Sequence, residues 1–276
     1  VKYNEFLDEL QKRVTDSFVK DEYETPLPII KCNDKIHIAV ISNQLFSGDV
    51  ADFLMPLLER IDSTKFDLTV YQQSAAGGPV FEVLKSTAPN WRRIVDLDND
   101  VVELILEREG TDLVIDLCGF SENGRPALFA ALGKRKPVIN MFCHPFGIGT
   151  PGANVVLSDA VTLDFDRENL RVGQSLAECE NGLFAINEPS VMGEVSELPA
   201  ITRDYITFGG TASLTHLSSH TAGLWAKTLH AHPNSKLHLG YIENASNDVK
   251  QRIQEIFAAY EVNERVSVWN TDHDHR

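Results

Sequence analysis

The chain has 276 residues, 43% of them hydrophobic and 24% charged, a composition typical of globular proteins and not of disordered or fibrous ones. Its formal net charge of −15 opposes binding to phosphate backbones, so we expect no nucleic-acid partner. No apolar run approaches the ~20 residues that span a bilayer, and the four scattered cysteines lack CxxC spacing, so we expect a cytoplasmic protein without a membrane span.

Residues 1–34 are predicted to form one amphipathic helix followed by a linker. Apolar side chains recur at helical spacing within residues 4–20, and the prolines of the segment ETPLPII end that pattern.

From residue 35 onward, short β-branched runs alternate with amphipathic segments, a pattern that predicts βαβ units and a parallel sheet. This first domain is expected to span residues 35–200. Its predicted strands are 36–41, 66–71, 92–95, 112–117, 137–142 and 154–158, and its predicted helices lie near 49–61, 78–86, 98–109 and 125–133. The stretch 160–203 carries mixed signals, and we interpret it as a peripheral connection.

A second α/β unit is predicted within residues 201–276. We expect its strands at 205–209, 236–241 and 265–269, with helices at about 217–231 and 245–260. In the first of these helices, one apolar face is formed by Ala222, Trp225, Ala226 and Leu229. Three strands and two helices make about half of a Rossmann-type domain, so the predicted fold is α/β, with one Rossmann-like parallel-sheet domain and the first half of a second.

The loops that follow strands are the candidate binding sites, because ligands of parallel α/β sheets bind beyond the carboxyl ends of the strands. The loop after strand 112–117 is a glycine-rich turn in which Gly119 and Arg125 are candidate substrate-binding residues. A plain structural ion pair between Asp116 and Arg125 is the alternative interpretation.

The segment 143–152 is the most distinctive in the chain. His144 is a candidate base or hydrogen-bond donor, Gly147 allows a substrate to approach the backbone, and Thr150 offers a hydroxyl. A purely structural histidine is the alternative.

The loop at 208–216 follows the first strand of the second unit. Gly209 and Gly210 permit a tight turn, while Ser213 and His216 supply donors before a helix N-terminus, where a diphosphate would be bound favourably. This loop matches neither GxGxxG nor a Walker A motif, so NAD-type or kinase-like chemistry is not indicated. The histidines of the terminal segment TDHDHR, His273 and His275, are interpreted as part of a frayed end and not as a metal site.

Taken together, these segments resemble the family 41 glycosyltransferases, which include the O-linked N-acetylglucosamine transferases and the plant SPINDLY-type proteins. The segment DLVIDLCGFSENGRPALFAALGKRKPVINMFCHPFGIGTPG is similar to that family's DILVDLxGYTxxxRxxIFAxRPAPxQxxxLGHPGTTG. The matching positions are Asp116, Gly119, Phe120, Arg125, Phe129, Ala130, Pro137, His144, Pro145, Gly147 and Thr150. The stretch from 208 to 239 also resembles the family's nucleotide-binding domain, with matches at Trp225, Pro233, Ser235 and Leu237.

The resemblance implies a GT-B-like architecture with an acceptor-side domain at 35–200 and part of a nucleotide-sugar-binding domain at 201–276. It also implies an inverting, metal-independent transfer to a protein or peptide acceptor, with a nucleotide sugar as co-substrate and no other cofactor. In this interpretation His144 is the catalytic candidate, and Gly209, Gly210, Ser213 and His216 bind the donor.

Three departures from the family leave a second function open. His216 stands where the family has a diphosphate-binding lysine, Ser47-Gly48-Asp49 replaces its His-Pro dipeptide, and its threonine-rich donor-binding region has no counterpart up to Arg276. The alternative is therefore a non-catalytic binding or scaffolding remnant, and an unrelated epimerase or sugar-binding protein of similar fold is a third interpretation. The departures predict that this chain binds nucleotide sugars poorly.

Overall fold

The computed structural model describes residues 35–45, 48–75, 77–119, 121, 123–141, 152–170, 173–187, 194–211, 217–241 and 247–270. The helix predicted within residues 4–20 lies outside this set. The chain divides into two compact units, the first ending at Pro189 and the second beginning at Ser190. The sequence-based boundary near residue 200 stays a prediction.

Among the described residues of the first unit, seven parallel strands form one sheet. The strands are β1 (Ile36–Ser42), β2 (Phe66–Gln72), β3 (Asn90–Arg93), β4 (Leu113–Asp116), β5 (Val138–Asn140), β6 (Val155–Ser158) and β7 (Ser175–Glu178). The helices are α1 (Gly48–Arg60), α2 (Pro79–Thr87), α3 (Asn99–Arg108), α4 (Pro126–Leu132) and α5 (Leu163–Asn169). The strand order β3-β2-β1-β4-β5-β6-β7 reverses direction between β1 and β4, as in Rossmann-type sheets.

Both faces of this sheet are covered, because alternate residues of β1 enter different cores. Ile38 and Val40 pack with apolar residues of α1 and α2, whereas Ala39 and Ile41 pack with those of α3 and α4. The side chains of successive strand residues point to opposite faces, so a strand that is apolar throughout belongs between two layers of helices. The predicted α/β parallel-sheet fold is thus confirmed.

The stretch 160–203, interpreted as a peripheral connection, contains two helices, Leu163–Asn169 and Pro199–Arg203, and a strand that the sequence did not indicate. Helix α5 follows β6, and β7 then pairs in parallel with β6 from Val155↔Ser175 to Ser158↔Glu178. The sequence of β7, SLAE, is half-buried to exposed, as befits a strand at the edge of the sheet. Among the described strands, β7 pairs only with β6, and a strand at the edge of a sheet need not carry a continuous apolar run.

The third strand begins earlier than predicted, at Asn90, whose side-chain amide donates to the Leu68 carbonyl at 3.2 Å.

The described part of the second unit contains a separate sheet of three parallel strands in the order β10-β9-β8. Its elements are α6 (Pro199–Arg203), β8 (Ile206–Thr211), α7 (Ser219–Ala231), β9 (Ser235–Tyr241), α8 (Asn247–Ala258), a 3₁₀ turn (Asn263–Arg265) and β10 (Val266–Asn270). Helix α7 begins after Ser218, whose hydroxyl accepts the Thr221 N–H at 3.1 Å. The predicted apolar face of α7 packs with Leu237 and Phe257 in one core, which confirms that assignment.

Helix α4 ends against the backbone that leads into β6. A Cβ atom added at Gly133 would lie less than 3 Å from three backbone atoms of Gly152. Beside this contact, the buried Asn154 side chain donates to the Gly133 carbonyl at 3.0 Å and accepts the Val138 N–H at 2.8 Å. The end of α4, the start of β5 and the start of β6 are therefore fixed to one another.

Among the described residues, no helix combines the length and the apolar character that crossing a bilayer requires.

Replacing Gly133 with alanine is expected to lower the free energy of unfolding by about 1–3 kcal/mol, the usual cost of overpacking. Gly133 already has helical backbone angles, so the methyl group acts by steric conflict with Gly152 and not through φ. Urea unfolding followed by circular dichroism measures the change. Gly77→Ala is the matched control, because a Cβ there meets no atom within 4 Å. Equal midpoints for the two variants would contradict the packing.

Candidate functional site

Polar side chains are buried where β1, β2 and β4 end. Asn43, Gln73 and Asp116 are each less than a tenth exposed. Buried polar groups require hydrogen-bond partners, and these side chains find theirs in and around the turn that follows β4. We call Asn43, Gln73, Asp116, Ser121 and Arg125 the carboxyl-edge cluster. It lies at the switch point between β1 and β4, where sheets of this type bind ligands.

The Asp116 carboxylate organises the start of the turn. One oxygen accepts the backbone N–H groups of Cys118 at 2.8 Å and Gly119 at 3.0 Å. The other oxygen accepts the side-chain amide of Asn140, at the end of β5, at 3.0 Å. This fully buried carboxylate thus joins two neighbouring strands and fixes the direction of the chain as it leaves β4.

Ser121 connects this turn to the end of β1. Its hydroxyl accepts the Asn43 side-chain amide at 2.8 Å and donates to the Cys118 carbonyl. Since Asn43 and Ser121 are 78 residues apart, the contact locks together two loops that the sheet topology brings side by side.

Two glycines of the turn are required by the backbone. Gly119 has φ of 53°, in the left-handed region that favours glycine. A Cβ at Gly124 would lie 2.7 Å from the Gly119 carbonyl oxygen and 3.0 Å from that of Ser121. The end of the turn at Gly124 therefore packs directly against the backbone at its start. The predicted contact of Gly119 with substrate stays a prediction, and a backbone role accounts for the residue as well.

Arg125 fixes the end of the turn by contacts with neutral acceptors. Its Nε donates to the Gln73 side chain at 2.6 Å, Nη1 to the Asn99 side chain at 2.9 Å, and Nη2 to the backbone carbonyls of Ile94 at 3.0 Å and Val95 at 3.4 Å. Burial lowers the pKa of Arg125 from its ordinary value, and the group remains a cation because that ordinary value is so high.

The alternative raised for Arg125 from sequence, an ion pair with Asp116, does not describe this geometry. The Asp116 carboxylate accepts hydrogen bonds from amide N–H groups, and each nitrogen of the Arg125 guanidinium donates to a neutral acceptor. Arg125 connects the loops that follow β2, β3 and β4. Its predicted contact with substrate stays a prediction.

Cys118 lies beneath the turn and is chemically protected there. Its thiol is buried and donates to the Ile41 carbonyl at 3.6 Å. Burial, together with the nearby charge of Asp116, raises the pKa of Cys118 well above its ordinary value. The thiol therefore stays protonated near neutral pH, and Cys118 is no candidate nucleophile.

In the second unit, the two predicted donor-binding glycines lie in β8 and not in the loop after it. Gly209 pairs with His238 and Gly210 with Leu239. Neither glycine has a φ in the left-handed region. A Cβ at Gly209 would meet no atom within 4 Å, and one at Gly210 would touch only a Leu239 methyl group at 3.9 Å. Among the residues that the structure describes, no backbone atom therefore packs where side chains at Gly209 and Gly210 would begin.

The other predicted site residues lie outside the described part of the chain: His144, Gly147, Thr150, Ser213 and His216. Their assignments stay predictions. The residues that the sequence did not single out are Asn43, Gln73 and Asn140, which are joined to the turn by contacts over 24 to 78 residues of chain. Among the described residues, no group of three or more His, Cys, Asp or Glu side chains is placed to hold a metal ion.

No known family profile matches the chain. Individual plant proteins do match it, under the name "Probable UDP-N-acetylglucosamine--peptide N-acetylglucosaminyltransferase SPINDLY". The protein from Solanum lycopersicum is 22% identical over 224 residues, which cover 79% of this chain and 24% of that protein. The protein from Oryza sativa subsp. japonica is 26% identical over 206 residues, or 72% of this chain and 22% of that protein. The chain spans about a quarter of the length of these relatives.

Solved structures show the same fold. An O-GlcNAc transferase mutant from Thermobaculum terrenum superposes with a TM-score of 0.80 at 18% identity, covering 97% of this chain and 50% of that one. The apo form of the lipopolysaccharide outer core galactosyltransferase WaaB has a TM-score of 0.52 at 11% identity, covering 85% of this chain and 68% of that one. These relatives confirm the resemblance to the family 41 glycosyltransferases and the glycosyltransferase fold.

Removing the Asp116 carboxylate is expected to destabilise the first unit strongly. In Asp116→Ala the N–H groups of Cys118 and Gly119 lose their acceptor inside the protein, which costs roughly 2–4 kcal/mol. Urea unfolding measures the loss. Asp62→Ala is the control, because the Asp62 carboxylate also accepts a backbone N–H two residues onward but is exposed, so water replaces it. Similar unfolding curves for both variants would show that the buried contact is unimportant.

Cys118 is expected to resist alkylation in the folded protein. Iodoacetamide at pH 8, followed by peptide mapping, is expected to leave Cys118 unmodified and to modify it fully in urea. Cys179 provides an internal comparison, because it is only half-buried and is expected to react faster than Cys118 in the folded state. Equal native rates at the two thiols would contradict the described burial.

Proposed function

We propose that this chain acts as a nucleotide-sugar-dependent glycosyltransferase that modifies protein acceptors. The observation that carries the proposal is the turn after β4. Asp116, Gly119 and Arg125, which match the family motif in sequence, all lie in this turn, and hydrogen bonds fix it to neighbouring loops at the switch point of the sheet. The names of the plant relatives point to UDP-N-acetylglucosamine as the donor and a peptide as the acceptor.

In the proposed reaction, the first unit binds the acceptor and the second unit binds the donor. An acceptor hydroxyl attacks the anomeric carbon of the sugar, its proton passes to His144, and the bond from that carbon to the diphosphate oxygen breaks. One displacement of this kind inverts the anomeric centre. The leaving diphosphate is stabilised by donors beyond β8, from Ser213, His216 and the amides that precede α7.

The absence of described atoms within 4 Å of a Cβ at Gly209 supports donor binding near the carboxyl end of β8. A glycine that neither backbone angle nor packing requires is consistent with a ligand that approaches the strand closely. We also propose that the transfer needs no metal and takes place in the cytoplasm. In support of that location, Cys118 and Cys179, the cysteines of the described region, are both free thiols.

The second candidate function is binding without transfer, and the histidine at position 216 favours it. A histidine side chain carries less positive charge near neutral pH than the lysine of the family, and the chain has a formal net charge of −15. The two functions predict different outcomes in one experiment.

That experiment measures transfer and binding together. The chain is incubated with a serine- and threonine-containing peptide library and UDP-N-acetylglucosamine or GDP-fucose, with and without EDTA. Transfer is read by the mass of the peptides, and binding by saturation-transfer NMR. Peptides that gain a sugar, with EDTA making no difference, support the enzyme. Binding with no transfer supports the second candidate, and the absence of both contradicts each.

His216→Lys is expected to strengthen binding of the nucleotide sugar by about tenfold, since a charge-assisted contact to phosphate adds about 1–2 kcal/mol. In the unchanged chain we expect a dissociation constant of about 1 mM or weaker, corresponding to about 4 kcal/mol. Titration followed by NMR measures both values.

His230→Lys is the matched control. It makes the same change in charge at an exposed position in the last turn of α7, far along that helix from the proposed donor site. An equal gain in affinity for the nucleotide sugar in both variants would show that overall charge causes the effect. It would contradict the proposal that residue 216 lies at the donor site.

A further inference from the structure

Gln73 is the first residue after β2, and it has no counterpart in the motifs that define the resemblance. Its backbone N–H donates to the Ser42 carbonyl at 2.8 Å, so its main chain is held by the end of β1. The residue is 8% exposed. A glutamine with a fixed backbone and little exposure has its side-chain amide directed by its contacts.

Both ends of that amide reach the turn after β4. The oxygen accepts the Arg125 Nε–H at 2.6 Å, and the nitrogen lies 3.4 Å from the Asn123 carbonyl, to which it donates. These contacts cross 52 and 50 residues of chain. Gln73 is therefore the link between the end of β2 and the last part of the turn.

The Gln73 oxygen, as the hydrogen-bond acceptor of the Nε–H group, also determines how the Arg125 guanidinium is oriented. A planar guanidinium with Nε fixed by Gln73 directs Nη1 to Asn99 and Nη2 to the carbonyls of Ile94 and Val95. Without the Gln73 oxygen, the side chain loses the shortest of these contacts. Arg125 then gains rotational freedom, and the turn residues on its N-terminal side lose their attachment to β2.

We propose that Gln73 is a positioning residue of the carboxyl-edge cluster, which holds Asn123 and Arg125 at the end of the turn in the positions that the sugar acceptor meets. The proposal rests on the function proposed above, because it assigns acceptor binding to this edge of the sheet. Gln73 acts on the acceptor through Arg125 and the turn, without touching the reacting atoms.

The preceding residue offers a matched control. Gln72 is 6% exposed, donates to the Ser74 carbonyl at 2.7 Å and accepts the Trp91 indole N–H at 3.2 Å. Gln72→Leu and Gln73→Leu thus each remove a buried amide with two contacts from the end of β2. The contacts of Gln72 are with Ser74, just after β2, and with Trp91 in β3, whereas those of Gln73 are with the turn.

The test uses the Arg125 Nε–H resonance together with steady-state kinetics. In the unchanged protein and in Gln72→Leu, we expect a slowly exchanging Arg125 Nε–H signal in the ¹⁵N–¹H spectrum. In Gln73→Leu we expect that signal to be lost, and the KM for the acceptor peptide to rise about tenfold, the loss of one ordered contact. The dissociation constant for the nucleotide sugar is expected to stay unchanged.

Gln73→Glu provides the conservative rescue, because it keeps an oxygen for Nε–H and loses only the longer contact with Asn123. Its Arg125 signal and its KM are expected to return close to those of the unchanged protein. A signal that persists in Gln73→Leu overturns the inference, as does an equal rise in KM in Gln72→Leu. If the unchanged protein transfers no sugar, the proposed function fails, and a lost signal in Gln73→Leu alone then leaves Gln73 without a role in acceptor binding.

Discussion

A carboxylate with no exposed surface ends the central strand β4, and the arrangement of the proposed acceptor site depends on how it is satisfied. Asp116 cannot be stable in that position unless N–H groups surround it, since an unpaired buried charge is far more costly than the net gain of a typical hydrogen bond. The amides of Cys118 and Gly119 provide two of these donors only if the chain turns sharply after β4. The turn is thus a condition for burying the charge.

From that constraint the rest of the cluster follows in order. A sharp turn requires glycine at positions 119 and 124, brings the Ser121 hydroxyl beside Asn43, and places Arg125 within reach of the loops after β2 and β3. Asp116, Gly119 and Arg125, which match the glycosyltransferase motif, therefore fix the backbone of the turn.

Sequence predicts the elements of this protein where burial on two sides imposes a strong pattern, and it fails where burial is partial. The apolar runs of β1, β2 and β4 were found with nearly correct ends, because helices cover both faces. The edge strand β7 was missed, because SLAE meets neither the alternating nor the continuous apolar pattern. The predicted strand 205–209 ends at Gly209, since glycine weakens a strand signal, yet pairing with β9 extends β8 through Gly210 to Thr211.

The candidate site was predicted in its position but not in its contacts. The rule that ligands bind beyond strand ends located the turn, and the motif identified Asp116, Gly119 and Arg125. Gln73 and Asn43 carry no local signal, because their partners are 52 and 78 residues away and depend on the order of strands in the sheet. That order was not available from the spacing of apolar residues.

The contact between Gly133 and Gly152 has a consequence for how this protein can diverge. Neither position tolerates a side chain while the other keeps its present backbone, because each Cβ would meet main-chain atoms, those of Gly152 in one case and those of Phe129 and Ala130 in the other. A lineage that replaced one glycine would have to move the end of α4, and with it the start of β6. The two positions are therefore expected to be inherited as a pair, so that their joint retention among descendants records the spacing of two backbones and carries no information about what the protein binds.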